Sequence, residues 1–159
     1  MQNGIEERPN IFPWPPVLLV GALADGFLIN WLWPLSPPEG VARIVLAVIG
    51  ACLVCTTVAL DVTAMLALRR ARTTIMPHKG SDALVTDGPF TKIRNPIYLG
   101  NVFLVAGLGL LIGNVWLVAM APILGIVIDK LAIEREEAHL KARFGKAYED
   151  YMARTKRWI

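Results

Sequence analysis

The sequence predicts an all-α, polytopic membrane protein with about four transmembrane helices and a cytoplasmic C-terminal helical segment. Hydrophobic residues make up 55% of the chain and charged residues only 18%, whereas ordinary soluble domains carry about 25% charged residues. Several long stretches carry almost no charge, and each is long enough for a helix to cross a hydrocarbon layer of about 30 Å. The length of 159 residues predicts a single domain, residues 1–159.

Two membrane helices are predicted in the N-terminal part, residues 1–71. The segment 1–16 is polar and proline-rich, and its glutamates stand where a signal peptide would be basic. We therefore interpret the first apolar run, 17–33, as a retained transmembrane helix. The second run, 41–68, would form a helix about 42 Å long, which must tilt or project beyond the hydrocarbon.

A helical hairpin and a polar tail are predicted in the C-terminal part, residues 72–159. The third apolar run is 96–112 and the fourth is 115–132. Only Gly-Asn separates them, so we expect a tight antiparallel pair. The tail then contains a charged helix near 133–143, a break at Gly145 and an amphipathic helix near 146–155.

The charges predict the orientation in the membrane. Residues 69–95 contain six Lys or Arg against two Asp, and 129–159 contain eight Lys or Arg. The loops 34–40 and 113–114 carry only Glu39. The positive-inside rule then places both termini and both basic segments in the cytoplasm. Because the basic residues flank apolar spans, we expect membrane lipids as neighbours and no nucleic acid.

The stretch RNPIYLG, residues 94–100, has two interpretations. In the first it only starts a helix: Asn95 can cap it, Pro96 suits its first position and Tyr98 suits the membrane interface. In the second it binds a ligand, because the predicted hairpin brings the start of the third span back beside the tail. Arg94, Asn95 and Tyr98 would then face three acidic residues, which are Glu134, Glu136 and Glu137.

Three segments in order resemble the isoprenylcysteine carboxyl methyltransferase family and the wider group of membrane methyltransferases that includes phospholipid N-methyltransferases. They are LVTDGPFTKIRNPIYLG, a short helical hairpin, and EREEAHLKARFGKAYEDYMARTKRW. The resemblance covers roughly residues 72–159, which it makes the cofactor-binding catalytic half. It implies an S-adenosylmethionine-dependent methyltransferase that acts at the cytoplasmic membrane surface on a lipid-like or amphipathic substrate.

The resemblance also implies which residues form the site. Arg94 would hold an anionic substrate head bidentately and, with Glu137, act in catalysis. The family's eukaryotic pattern has His where this chain has Asn95, which points away from true prenylcysteine carboxyl methylation and towards a prokaryotic branch, and therefore to a bacterial inner membrane. The residues implied to bind the cofactor are Leu84, Val85, Gly88, Pro89, Phe90, Asn95, Tyr98, Glu136 and Glu137.

Other functions remain open from the sequence. A phospholipid N-methyltransferase is the nearest alternative, followed by a membrane reductase of similar topology and a non-catalytic membrane scaffold. Cys52 and Cys55 have the spacing of a metal or redox site, but no third cysteine accompanies them and both lie within a span. We therefore expect a packing role for these thiols and no metal site.

Overall fold

Four apolar helices form the membrane part of the protein. The structure is a computed structural model, and it describes residues 14–71 and 83–159; much of the predicted basic loop therefore lies outside the described residues. The apolar helices are α1 (Trp14–Leu32), α2 (Gly40–Arg70), α3 (Pro96–Ile112) and α4 (Val115–Ile128). They confirm the four predicted spans within a few residues at each end.

The polar tail continues directly from α4. A π-helical turn, Asp129–Ile133, joins α4 to α5 (Glu134–Phe144) without a break, so Val115–Phe144 is one continuous helix of 30 residues. Gly145, with a φ of 52°, ends α5, and α6 (Lys146–Arg154) follows. The glutamates of α5 are therefore held at a fixed height and rotation relative to the membrane helices.

The order of the helices in space is α1, α4, α3, α2. Helix α3 lies between α2 and α4, and α1 packs on the other side of α4. Within residues 14–71 and 83–159, three helices are long and apolar enough to cross a membrane, namely α1, α2 and Val115–Phe144. Helix α3 is shorter, with 17 residues, or about 26 Å, and it is covered on two sides by its neighbours.

Glycines allow α2 and α3 to approach closely. A Cβ at Gly50 would lie 2.6 Å from the backbone oxygen of Gly107, and a Cβ at Gly107 would lie 2.9 Å from the oxygen of Gly50. Nearer the other end of the pair, the Thr57 hydroxyl donates to the backbone oxygen of Gly100 at 3.0 Å. Small residues and cross-helix hydrogen bonds are the usual means of packing helices in lipid.

The predicted hairpin between α3 and α4 is present. Gly113 has a φ of 78°, and Asn114 caps α4 by accepting from the backbone N–H groups of Trp116 and Leu117. Arg43 of α2 donates to the carbonyls of Leu110 and Leu111, which are among the last of α3. The turn therefore returns the chain to the end of the bundle from which α3 starts. We call this end, residues 83–98 and 129–159, the polar end.

Candidate functional site

The segment before α3 approaches α2 through Gly88. Residues 83–87 are not helical, and Gly88 begins a single 3₁₀ turn, Gly88–Thr91, with a φ of 59°. Glycine adopts this conformation without steric cost. A Cβ at Gly88 would lie 3.5 Å from the Cβ of Ala67, so the turn packs directly on the end of α2.

The C-terminal segment runs beside the motif as a short parallel bridge. The backbone N–H of Arg94 donates to the oxygen of Lys156 at 2.8 Å, and the N–H of Lys156 donates to the oxygen of Lys92 at 3.0 Å. Asn95 Nδ2 donates to the oxygen of Arg157 at 3.1 Å. Asn95 is the N-cap residue of α3 and Pro96 is its first residue, as the helix-start interpretation predicts, but the Asn95 side chain makes no cap bond to α3. Its amide nitrogen instead ties down the C-terminal segment.

Two tyrosines of α6 are turned into the protein. Tyr148 and Tyr151 are 1% and 3% exposed, and the Tyr151 hydroxyl donates to the backbone oxygen of Phe90 at 2.7 Å. Burial raises the pKa of Tyr151 to about 12, so the hydroxyl keeps its proton at neutral pH. The two side chains form the buried face of the amphipathic helix predicted near 146–155, and this face holds the 3₁₀ turn in place.

Arg94 is held by three acceptors of the protein. Its Nε donates to Glu137 Oε1 at 3.1 Å, and its Nη1 donates to the backbone oxygens of Met152 and Thr155 at 3.3 and 2.5 Å. These two carbonyls lie at the end of α6. The guanidinium therefore caps α6 and joins it to α5, a role that sequence reasoning did not assign to it.

Glu137 connects two arginines. Besides Arg94, it accepts from Arg157 Nη2 at 2.5 Å and from Arg157 Nε at 3.3 Å. Arg157 Nη1 also donates to both carboxylate oxygens of Asp129, and Trp158 Nε1 donates to Asp129 Oδ1 at 3.3 Å. Asp129 and Arg157 are not among the site residues predicted from the sequence, because nothing in the sequence distinguishes them from the other charged residues of the tail.

Glu136 has a different partner. The Tyr98 hydroxyl donates to Glu136 Oε2 at 2.8 Å, and Tyr98 itself is 9% exposed. Burial raises the pKa of Glu136, the hydrogen bond from Tyr98 lowers it, and the charge of Glu137 raises it. Adjacent residues on one helix turn thus differ: Glu137 is paired with two arginines, whereas Glu136 has one neutral donor.

A cleft opens between these groups at the polar end. It contains about 510 Å³ of empty space, including the part that is open to solvent. Seven of the residues predicted from the sequence line it: Leu84, Val85, Phe90, Arg94, Asn95, Glu136 and Glu137.

Three further predicted residues stand behind the cleft rather than in its wall. Gly88 and Pro89 belong to the 3₁₀ turn that presents Phe90, and Tyr98 reaches Glu136 from α3. The lining also includes residues that the sequence did not indicate, namely Leu68, Ala83, Leu140, Tyr148 and Tyr151. Tyr148 and Tyr151 are three positions apart on α6, so the sequence indicates that they share one apolar face of this helix, but not that they line a cleft.

Comparison with known proteins shows the family. The family model described as Phospholipid methyltransferase matches residues 45–147, which is more than half of the chain and includes every residue that lines the cleft except Tyr148 and Tyr151. The chain belongs to the phospholipid methyltransferase family. The matched range begins within α2 and ends at the start of α6, so the C-terminal bridge to the motif lies beyond it.

Two similar proteins give further context for this family member. The structure of the eukaryotic intramembrane Ras methyltransferase ICMT (isoprenylcysteine carboxyl methyltransferase) matches with a TM-score of 0.63 and 25% identity, over 94% of this chain and 53% of that chain. The nickel-cobalt-cadmium resistance protein NccN of Alcaligenes xylosoxydans xylosoxydans is 35% identical over 75 residues, which is 47% of this chain and 35% of that protein. The chain thus spans about half, or less, of the length of these relatives. The likeness to the intramembrane enzyme and the apolar helices together identify an integral membrane protein.

Proposed function

We propose that the protein is an S-adenosylmethionine-dependent methyltransferase that methylates a lipid-like or amphipathic substrate at the cytoplasmic surface of the membrane. The observation that carries the proposal is the cleft at the start of α3, where Tyr98 and Glu136 meet although 38 positions separate them. Membership of the phospholipid methyltransferase family and the likeness to an intramembrane methyltransferase support the same activity.

The side chains in the cleft suit S-adenosylmethionine. The cofactor carries positive charge, ribose hydroxyls and an adenine ring, and when bound it supplies the methyl group. Glu136 offers a carboxylate for a positively charged or hydroxyl-bearing group. Phe90 of the 3₁₀ turn and Leu140 of α5 both offer apolar surface in the wall of the cleft.

Arg94 and Glu137 act by positioning in this proposal. Methyl transfer needs its two reactants aligned more than it needs acid catalysis, and alignment can supply several kcal/mol. The Arg94–Glu137 pair fixes α5 and α6 to the motif loop, so it keeps the walls of the cleft in place. Both residues line the cleft, but their charges serve chiefly each other and Arg157.

The membrane location follows from the proposed substrate. A cleft at the polar end of a helical bundle lets a lipid tail remain in the bilayer while its head meets a water-soluble cofactor. The Lys and Arg residues of segments 69–95 and 129–159 favour the cytoplasmic side for this end.

A phospholipid N-methyltransferase is the second candidate, and the name of the matched family favours it. The purified protein would be titrated with S-adenosylhomocysteine and incubated with methyl-labelled S-adenosylmethionine and a total lipid extract. Saturable binding and a labelled lipid are expected. Mild alkali separates the candidates, because it releases label from a methyl ester and leaves an N-methyl group in place. Retention of a nicotinamide cofactor would indicate a reductase instead, and no binding of either cofactor would indicate a scaffold.

A further inference from the structure

The three tyrosines of the chain lie in or behind the wall of the cleft, and the fold uses the hydroxyl groups of two of them. The Tyr98 hydroxyl donates to Glu136, and the Tyr151 hydroxyl donates to the backbone oxygen of Phe90. Among the residues that the structure describes, the Tyr148 hydroxyl has no hydrogen-bond partner, although Tyr148 is only 1% exposed. The fold therefore buries this tyrosine without using its polar group.

The Tyr148 hydroxyl opens onto the cleft. Within the described chain, Asp61 Oδ1 is a fully enclosed side-chain oxygen without a donor, but the Tyr148 hydroxyl is not enclosed in this way. Its small accessible area therefore faces open space, and the cleft is the space that Tyr148 lines. Because buried polar groups are normally hydrogen-bonded, a hydroxyl without a partner at this wall indicates a contact with the molecule that fills the cleft.

This hydroxyl is a hydrogen-bond donor at neutral pH. Burial and the charge of Glu137 raise the pKa of Tyr148, and the charge of Arg94 lowers it, with a net rise. The phenol therefore keeps its proton, and a neutral phenol can donate one hydrogen bond to an acceptor in the cleft.

Arg94 provides a second free donor to the same cleft. Its Nε and Nη1 bind Glu137 and two backbone oxygens. Its Nη2 makes no hydrogen bond within the described part of the chain, and this nitrogen is not fully enclosed. Arg94 and Tyr148 both line the cleft, and the charge of Arg94 acts on Tyr148. We call the Tyr148 hydroxyl and Arg94 Nη2 the donor pair.

The two acids of the cleft wall differ in whether they are already paired with a cation. Glu137 accepts from both Arg94 and Arg157, so its charge is compensated within the protein. Glu136 accepts only from the neutral Tyr98 hydroxyl. The wall thus offers two free donors, one of them charged, and one carboxyl without a cation. This arrangement suits a ligand that carries both a carboxylate and an ammonium group.

We propose that the donor pair binds a carboxylate of the molecule in the cleft. The inference rests on the proposed function, because the amino-acid end of S-adenosylmethionine carries a carboxylate for the donor pair and an ammonium group for Glu136. An acidic methyl acceptor is a second source of the same chemistry, and the test separates the two. Tyr148 is then a ligand-binding residue of this site.

The test compares Tyr148→Phe with Tyr151→Phe in the full chain in detergent. Each variant removes one hydroxyl from α6 and keeps the ring. Tyr148→Phe removes no hydrogen bond of the folded chain, so it should unfold at the same temperature as the wild type. Tyr151→Phe loses the bond to Phe90, so it should unfold at a lower temperature.

The affinities for S-adenosylhomocysteine and for its decarboxylated form, which keeps the ammonium group, are then measured. Tyr148→Phe should bind S-adenosylhomocysteine about tenfold more weakly than the wild type does, because a hydrogen bond to a charged group is lost. It should bind the decarboxylated form as the wild type does. Tyr151→Phe should keep the wild-type ratio between the two affinities, because its hydroxyl faces the protein.

The remaining outcomes are distinct. If the carboxylate belongs to the methyl acceptor, both ligands bind Tyr148→Phe as they bind the wild type, and the KM for the lipid extract rises about tenfold in methyl transfer. An equal loss of affinity for both ligands, or no change in either affinity or in KM, would overturn the donor pair. A wild-type protein that binds neither ligand would instead overturn the proposed function, on which the inference rests.

Discussion

Replacing either of two adjacent glutamates by glutamine is expected to affect the stability of the protein to different extents. Glu137 joins Arg94 and Arg157, whereas Glu136 accepts one hydrogen bond from Tyr98 and lines the cleft. Glu137→Gln should therefore lower stability, and Glu136→Gln should lower ligand affinity. Glu136→Gln, the same chemical change one residue away, serves as the control for the loss of stability in Glu137→Gln.

The expected loss of stability in Glu137→Gln follows from the contacts of the Glu137 side chain. Its side chain is 11% exposed and binds guanidinium groups on both carboxylate oxygens, and a hydrogen bond to a charged group contributes about 1.5–3 kcal/mol. Glutamine keeps one acceptor oxygen, and Arg157 keeps Asp129. We expect Glu137→Gln to lower the free energy of unfolding by roughly 2–3 kcal/mol, since one guanidinium loses its partner while partly enclosed.

The expected loss of stability is smaller for Glu136→Gln, because glutamine can still accept the hydrogen bond from Tyr98. We expect a change in stability below about 1 kcal/mol, together with at least about a tenfold loss of affinity for S-adenosylhomocysteine, which corresponds to about 1.4 kcal/mol. Thermal unfolding in detergent and a binding titration measure the two quantities. The reasoning is refuted if Glu136→Gln destabilises as much as Glu137→Gln while its ligand affinity is unchanged.

The pH dependence of stability gives an independent check on Glu136. Burial raises the pKa of this carboxyl, so the folded protein keeps the proton to higher pH than the unfolded chain does. Protonated Glu136 stabilises the folded protein at pH values below the pKa that this residue has in the unfolded chain. This stabilisation is lost as the pH rises through the pKa that it has in the folded protein. The wild type should therefore lose stability relative to Glu136→Gln as the pH rises above about 4.3, the pKa of an unperturbed glutamate. A stability difference that does not vary with pH would contradict the assignment.

Three further predictions concern the motif and its orientation. Tyr98→Phe should lower affinity for S-adenosylhomocysteine, because Glu136 loses a hydrogen bond of about 1 kcal/mol; unchanged affinity in a titration would show that Tyr98 does not act through Glu136. Asn95→Ala and Glu137→Gln should each weaken binding of S-adenosylhomocysteine. The double variant should lose much less binding free energy than the sum of the two single losses, because both residues hold Arg157. Additive losses would mean that the two residues act separately. A cysteine at position 82, in a background without Cys52 and Cys55, should be labelled only after the cells are permeabilised, and labelling from outside in intact cells would reverse the proposed topology.

Much of the site could be predicted because it depends on one hairpin. The Gly-Asn turn between two apolar runs requires that α4 return beside the start of α3, and the sequence alone then brings residues 94–98 to the glutamates of α5. The structure shows which residues of this group bind each other. Tyr98 meets Glu136, and Arg94 meets Glu137, a choice set by the rotation of α5. The π-helical turn Asp129–Ile133 contributes to that rotation, and nothing in the apolar pattern indicates it.

The sequence by itself determined the membrane spans, the hairpin and the end of the bundle where the polar groups gather. These features depend on apolar runs, turn residues and the distribution of charge, which act locally along the chain. Only the tertiary structure decided what each polar group does there. Arg94 reaches Thr155 across 61 positions, and Asn95 reaches Arg157 across 62, so these partners are brought together by the packing of α6 and the C-terminal segment. Which partner a charged residue binds depends on distance and exposure in the folded chain. Before folding, many charged residues of the tail are equivalent, so the sequence does not distinguish among them.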